Sequence, residues 1–149
     1  LVEGGDSRFH SVRNGLKGVD GGGIVAIHDA ARPCVSIRLI NSSFEAASVY
    51  KSAVAAVALK DSIREKSGIT TISRDRSNYY LIQTPQTFDI NLLKKAYRQP
   101  HNLRFTDDAS VVASDGHAVH LIEGSYGNIK ITTDEDLDLA RFFLSENLA

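Results

Sequence analysis

Polar side chains gather immediately behind apolar runs at several points of this sequence. In "VAIHDAARP", Val25 to Pro33, a mostly apolar run leads into Asp29, two alanines and Arg32. A carboxylate at Asp29 could hold Mg²⁺ or a sugar hydroxyl, and Arg32 offers a bidentate fork for phosphate. Ala30 and Ala31 leave room for a flat or bulky ligand. An internal Asp29–Arg32 ion pair that ties down a loop is the competing reading. In "GNIKITT", Gly127 to Thr133, Lys130 is either a surface lysine or a point charge that meets a phosphoryl oxygen. In "GGDSRFHS", Gly4 to Ser11, the glycines admit close backbone approach, while Asp6 and Ser11 supply an acceptor and a hydroxyl near a helix start. A plain capped turn accounts for that segment equally well. Thr106, Asp107 and Asp108 open a helix, which is both a cap and an anion-binding geometry. Arg74 and Arg76 are either solvated or reach toward a partner molecule. His28 has no clustered metal-binding companions and reads as a partly buried histidine.

The elements around these residues follow from periodicity. Apolar runs alternate with helical patterns, which argues for a mixed α/β domain with parallel strands. A helix is expected over Ser11 to Val19, then the triplet Gly21 to Gly23 and a strand from Ile24 to His28. That triplet precedes a strand instead of following one, so it reads as a connector and not as a phosphate cradle. Ser36 to Tyr50 is helical, with Ile37, Ile40, Phe44, Ala47 and Tyr50 spaced to face a sheet. Ala53 to Leu59 is wholly apolar, the pattern of a strand covered on both faces. Lys60 to Asn78 alternates polar and β-branched residues around "KSG", as in a hairpin with little core of its own. A strand is expected from Tyr79 to Thr84, ending at "TPQTF", and a helix from Ile90 to Tyr97 capped by Asp89. Val119 to Ile122 and Ile129 to Ile131 read as strands. The last helix starts at "TTDEDL" and lines up Leu137, Ala140, Leu144 and Leu148. In open parallel sheets ligands bind where strands end, so the four polar segments "GGDSRFHS", "HDAARP", "TPQTF" and "GNIKITT" are the first candidates for one shared site.

Composition narrows the partners. The 149 residues suit one domain, and 17 basic against 18 acidic side chains give a formal net charge of −1. No global field recruits nucleic acid or an anionic membrane, so an anion site has to be built locally. The only cysteine, Cys34, forms no intrachain disulfide, which fits a reducing cytoplasm. No apolar run approaches membrane-spanning length, and no signal peptide is expected.

As an ordered set, "GGDSRFHSVRNGL", "VAIHDAARPCV", "LKDSI", Arg76 ahead of "LIQTPQTF", "FTDDAS" and "VHLIEGSYGNIKITTDEDLDLA" resemble the 2-C-methyl-D-erythritol 4-phosphate cytidylyltransferases of isoprenoid precursor biosynthesis. The resemblance implies a Rossmann-like nucleotidyltransferase domain over residues 1–149, with a protruding β-arm at 60–78 for homodimerisation. It implies CTP and a polyol phosphate as co-substrates, with Mg²⁺ present. Carried onto this sequence, it assigns Gly5, Asp6 and Ser11 to cytosine recognition and Asp29 and Ala30 to the ribose and metal neighbourhood. Arg32 and Thr106 become substrate contacts, Lys130 the bridge between substrate phosphate and nucleotide, and Ser62 and Arg76 arm residues that serve the neighbouring subunit. The family has threonine where Ser62 stands.

The chain starts at Leu1 and contains no methionine. The family's N-terminal strand and glycine-rich, basic loop have no counterpart here, so the chain is expected to be the C-terminal two thirds of such an enzyme and nearly inactive alone. A ribitol-5-phosphate cytidylyltransferase and a non-catalytic, dimeric nucleotide-binding module are the alternatives.

Overall fold

The computed structural model describes residues 1–146. Helix α1 (Arg8–Lys17) is followed by strand β1 (Ile24–Ile27), helix α2 (Ile37–Tyr50), strand β2 (Ser52–Ala58) and the hairpin of β3 (Ile63–Ser67) and β4 (Thr70–Arg74). Strand β5 (Tyr80–Asp89), helices α3 (Ile90–Ala96) and α4 (Asp108–Ser114), strand β6 (Leu121–Glu123) and helix α5 (Asp134–Glu146) complete the order. The main sheet runs β1-β5-β2-β6. Strand β5 is antiparallel to both neighbours and β6 is parallel to β2, so β1, β2 and β6 end at the same edge of the sheet.

Six consecutive residues of β2, Ser52 to Val57, are buried, because layers cover both faces of the sheet. On one side Phe9 and Leu16 of α1, Leu93 and Ala96 of α3, and Val111 and Val112 of α4 close over Val54 and Phe88. On the other lies α2, whose inward face is only partly the expected one, since Ala47 is buried and Ile40 half-buried while Leu39 and Ser43 take the place of Ile37, Phe44 and Tyr50. Leu39, Ser43 and Ala47 are buried, whereas Ile37 and Tyr50 are 77% and 56% exposed. Small side chains at 43 and 47 let the helix sit close to the sheet, and the Thr87 hydroxyl donates to Ser43 Oγ, so neither polar group is stranded.

Three further expectations are corrected. "TPQTF" does not end a strand: β5 passes straight through it, with a cis Thr84–Pro85 bond. Its pairing slips there, from Val54 opposite Gln86 to Ala56 opposite Ile82, because proline has no N–H for the ladder. Ile129 to Ile131 is not a strand but a loop, held to the segment after β1 by the Ile131 amide, which donates to the Ala31 carbonyl at 2.8 Å. Among the expected α5 positions Ala140 is buried, while Leu137 and Leu144 stay 40% and 39% exposed; Leu148 lies outside the described residues.

The hairpin stands apart. Strands β3 and β4 pair with each other from Ile63–Arg74 to Ser67–Thr70, and nearly all of their side chains are exposed. Asp75 caps the short 3₁₀ turn Arg76–Asn78 that leads back to the sheet.

Candidate active site

The turn after β1 and the slip in β5 meet at a cavity of about 220 Å³. Asp29, Arg32, Thr106 and Lys130 all line it, together with Arg8, Thr84 and Gln86. Asp29 follows β1 directly, and its amide donates to Thr84 Oγ1 at 3.0 Å, so the β5 irregularity fixes the turn that carries it. A second, more apolar cavity of about 390 Å³ shares Arg32, Gln83 and Lys130 with the first, and Val57, Tyr126 and Ile129 form part of its wall.

Asp29 does not pair with Arg32 among the described contacts. Its Oδ2 accepts from Lys130 Nζ at 2.9 Å, and its Oδ1 faces Arg8 Nε at 3.4 Å. Burial alone would push the Asp29 carboxyl up, but the Lys130 hydrogen bond and the Arg8 charge outweigh it and hold the group below the usual carboxylate range. Arg32 instead donates to the Asn128 carbonyl at 2.7 Å. Burial lowers its guanidinium from the ordinary value and Asp29 offsets part of that effect, so it stays a cation. Its Nε is buried without a hydrogen-bond partner on the wall of this cavity.

The loop that carries Lys130 is anchored by Asn128. Fully buried, Asn128 donates from Nδ2 to the Thr84 carbonyl at 2.8 Å, and its own carbonyl also accepts from Gln83 Nε2. Gly124, just past β6, leaves room for this packing: a Cβ there would fall 2.5 Å from Gln83 Oε1 and 3.1 Å from the Ala56 backbone, so a larger residue would have to displace the Gln83 side chain. On the opposite wall Gln86 donates to Asp107 Oδ2 and accepts from the Ala109 amide, which fixes the start of α4 and with it Thr106.

Sequence reasoning missed Arg8. Its NH2 donates to Asp108 Oδ2 at 2.6 Å, and the other oxygen of the fully buried Asp108 accepts from Tyr97 OH at 2.5 Å. Burial and then the Asp108 charge push the Tyr97 phenol up, so it remains a donor. The missed residues Arg8, Thr84 and Gln86 carry one signal in the sequence: each sits in a segment that already held a candidate.

The other assigned residues lie elsewhere. Gly5, Asp6 and Ser11 are not among those that line the cavity. Gly5 and Asp6 lie ahead of α1 and Ser11 in its first turns, where Ser11 Oγ accepts from the Gly5 amide at 3.0 Å. Ala30 is exposed in the turn between Asp29 and Arg32. Ser62 and Arg76 are exposed at the base of the hairpin, where the Arg76 guanidinium donates to the Lys60 carbonyl. No group of three or more His, Cys, Asp or Glu side chains that could hold a metal ion occurs among the described residues, so Asp29 is a single carboxylate and no cage.

The family model for 2-C-methyl-D-erythritol 4-phosphate cytidylyltransferase matches residues 1–146. The chain belongs to this family. Among curated relatives, the cytidylyltransferase of Bacteroides fragilis is 47% identical over 146 residues, which cover 97% of this chain and 66% of the relative. That of Geobacillus thermodenitrificans is 42% identical over 152 residues, covering 100% of this chain and 67% of the relative. The crystal structure of the enzyme from Thermus thermophilus superposes with a TM-score of 0.84 at 33% identity, over 96% of this chain and 72% of the other. A 4-diphosphocytidyl-2C-methyl-D-erythritol synthase from Anaerococcus prevotii gives 0.85 at 30% identity, over 95% and 68%. The fold is therefore the α/β nucleotidyltransferase fold of the cytidylyltransferases. The chain spans 66% of the length of the first curated relatives it matches.

Proposed function

We propose that this chain forms part of an enzyme that transfers CMP from CTP to 2-C-methyl-D-erythritol 4-phosphate, with pyrophosphate as the leaving group. The observation that carries the reading is the convergence of Asp29, Arg32, Thr106 and Lys130, from three separate segments, on one cavity. In this reaction a phosphate oxygen of the polyol phosphate attacks the α-phosphorus of CTP, and no covalent enzyme intermediate is needed. The protein's work is positioning and charge neutralisation. Lys130 is suited to it: its ammonium lies on a long, half-exposed side chain and can move from Asp29 to a phosphoryl oxygen. Arg32, with its unpartnered Nε, holds the substrate phosphate, and Thr106 adds a hydroxyl.

Gly5, Asp6 and Ser11 form the cytosine end of the site in this reading, and Asp29 and Ala30 its ribose side. A divalent cation fits only as one shared with the triphosphate: Asp29 offers one carboxylate, and Mg²⁺ ordinarily takes one or two such ligands plus substrate phosphates. Bound there, Mg²⁺ would neutralise developing phosphoryl charge. Homodimerisation through residues 60–78 completes the proposal, with Ser62 and Arg76 directed at the neighbouring subunit's cavity. In favour of it, the hairpin leaves Ile69 and Ile72 exposed. A cytoplasmic setting agrees with a single, buried, free Cys34. No described helix is long and apolar enough to cross a membrane.

The test is pyrophosphate release from CTP with 2-C-methyl-D-erythritol 4-phosphate and, separately, with D-ribitol 5-phosphate, using the full-length protein. Faster turnover of the methylerythritol substrate and its near-complete loss in Lys130→Ala are expected. Preference for ribitol phosphate, or a wild-type rate in Lys130→Ala, would overturn the assignment.

A further inference from the structure

A cleft of about 440 Å³ between α1 and the end of α3 is lined by Arg13, Lys17, Lys94 and Arg98, over a floor of Leu16 and Tyr97. Arg13 and Lys17 are four residues apart on one face of α1, Lys94 lies in the last turn of α3 and Arg98 just past its end, and all four line the cleft. No acidic side chain lines the cleft. None of the four cleft cations has a carboxylate within 4 Å among the described residues. Lys17 donates to the Asn14 side-chain oxygen, Lys94 to the Val19 carbonyl, and Arg13 lies over the Phe9 ring at 5.5 Å. Each of them has further N–H groups to offer.

A simpler purpose has to be weighed. Lys17 and Lys94 lie in the last turns of their helices, where a cation offsets the partial negative charge of the helix end. Two helix ends supply roughly one negative charge in total, at about half a charge each, against four full positive charges. Arg13 and Arg98 therefore remain in excess. Arg13 and Lys17, like charges four residues apart on α1, repel each other, a cost that an anion lodged in the cleft reverses.

We propose that this cleft is a second anion site, separate from the transfer cavity, that takes a multiply charged phosphate such as a diphosphate. A single negative charge leaves most of the excess unbalanced, and the span between two helices suits an extended anion that all four side chains can reach. The buried Leu16 and Tyr97 beneath them exclude water from one side, which strengthens each contact relative to open surface.

The experiment is a titration of the full-length protein with inorganic pyrophosphate, followed by amide and side-chain NMR. Shifts are expected at Arg13, Lys17, Lys94 and Arg98, with affinity falling as salt rises. Lys17→Glu/Arg98→Glu changes two exposed side chains, so the fold is retained, and the cleft shifts should require about tenfold or more pyrophosphate because two attractions become repulsions. Lys130→Ala should leave the cleft response unchanged, which separates this site from the transfer cavity. The proposal is overturned if the cleft residues do not respond at millimolar pyrophosphate, if they respond equally in the double variant, or if shifts appear only around Asn128 and Lys130. The last of these outcomes leaves the transfer site standing without the cleft.

Discussion

Arg8 is the residue on which the charge arrangement of the cavity turns. It neutralises the fully buried Asp108 and at the same time faces Asp29, so its removal leaves one carboxylate stranded. Breaking a buried pair from one side costs about 3–5 kcal/mol; with Arg8 itself one third exposed, about 2–3 kcal/mol is expected for Arg8→Gln by urea denaturation. Asp29→Asn leaves no buried charge unpaired and should cost less than about 1 kcal/mol by the same measurement. Equal losses in the two variants would mean that Asp108 is not held in this way. The sequence made Asp29, Arg32 and Thr106 legible because each stands just past an apolar run or at a helix entry, and Lys130 because it is a lone cation inside an apolar run. Arg8 and Thr84 were not legible. Their role depends on a partner 100 residues away in one case and on a slip in strand pairing in the other, and neither leaves a local pattern.

At the scale of elements, caps were read more reliably than faces. Asp89 was expected to cap α3, and its Oδ1 accepts from the amides of Asn91 and Leu92. A cap is a local matter of residue type and offset, so sequence suffices for it. The Leu92 amide bond is the main cause that lowers the Asp89 carboxyl; burial opposes it and Lys51 adds to it. A lowered native value means that the ionised cap stabilises the fold fully above the ordinary value of 3.8 and ceases to do so as pH falls through the native value. Asp89→Ala should therefore cost about 1 kcal/mol at neutral pH, and the gap to wild type should close in strong acid. A gap independent of pH would show that charge has no part in the cap. The inward face of α2 was partly misread because periodicity ranks residues by size and apolarity, whereas the sheet admits a helix only where Ser43 and Ala47 are small. Ser43→Leu should cost about 1–3 kcal/mol by overpacking, and Ile37→Ser less than about 0.5 kcal/mol, as measured by thermal unfolding. The "NIKIT" loop was misread for a related reason: its two isoleucines alternate as in a strand, but no neighbouring strand is available to pair with it.

For the whole molecule, the question is whether one chain holds a complete site. The hairpin was legible from its thin apolar content, and its separation from the main sheet agrees with that reading. That it leans on a second copy is an expectation given only by the resemblance. If it joins two copies, replacing the exposed Ile69 and Ile72 by aspartate should convert a dimer to a monomer in sedimentation equilibrium without loss of the sheet, since neither side chain touches the core. A mass that does not change would remove the arm from the interface. A sharper consequence follows for the site. Arg76 does not line the cavity that contains Lys130 in its own chain. In a two-fold dimer with shared sites, a Lys130→Ala chain paired with an Arg76→Ala chain places both defects in one site and leaves the other intact. Random re-pairing of equal amounts makes half the dimers mixed, with one good site each, so roughly a quarter of wild-type activity should return in the full-length protein from two parents that are each nearly inactive. Were Arg76 to act within its own chain, every site in the mixture would keep one defect, and activity would stay at the level of the parents.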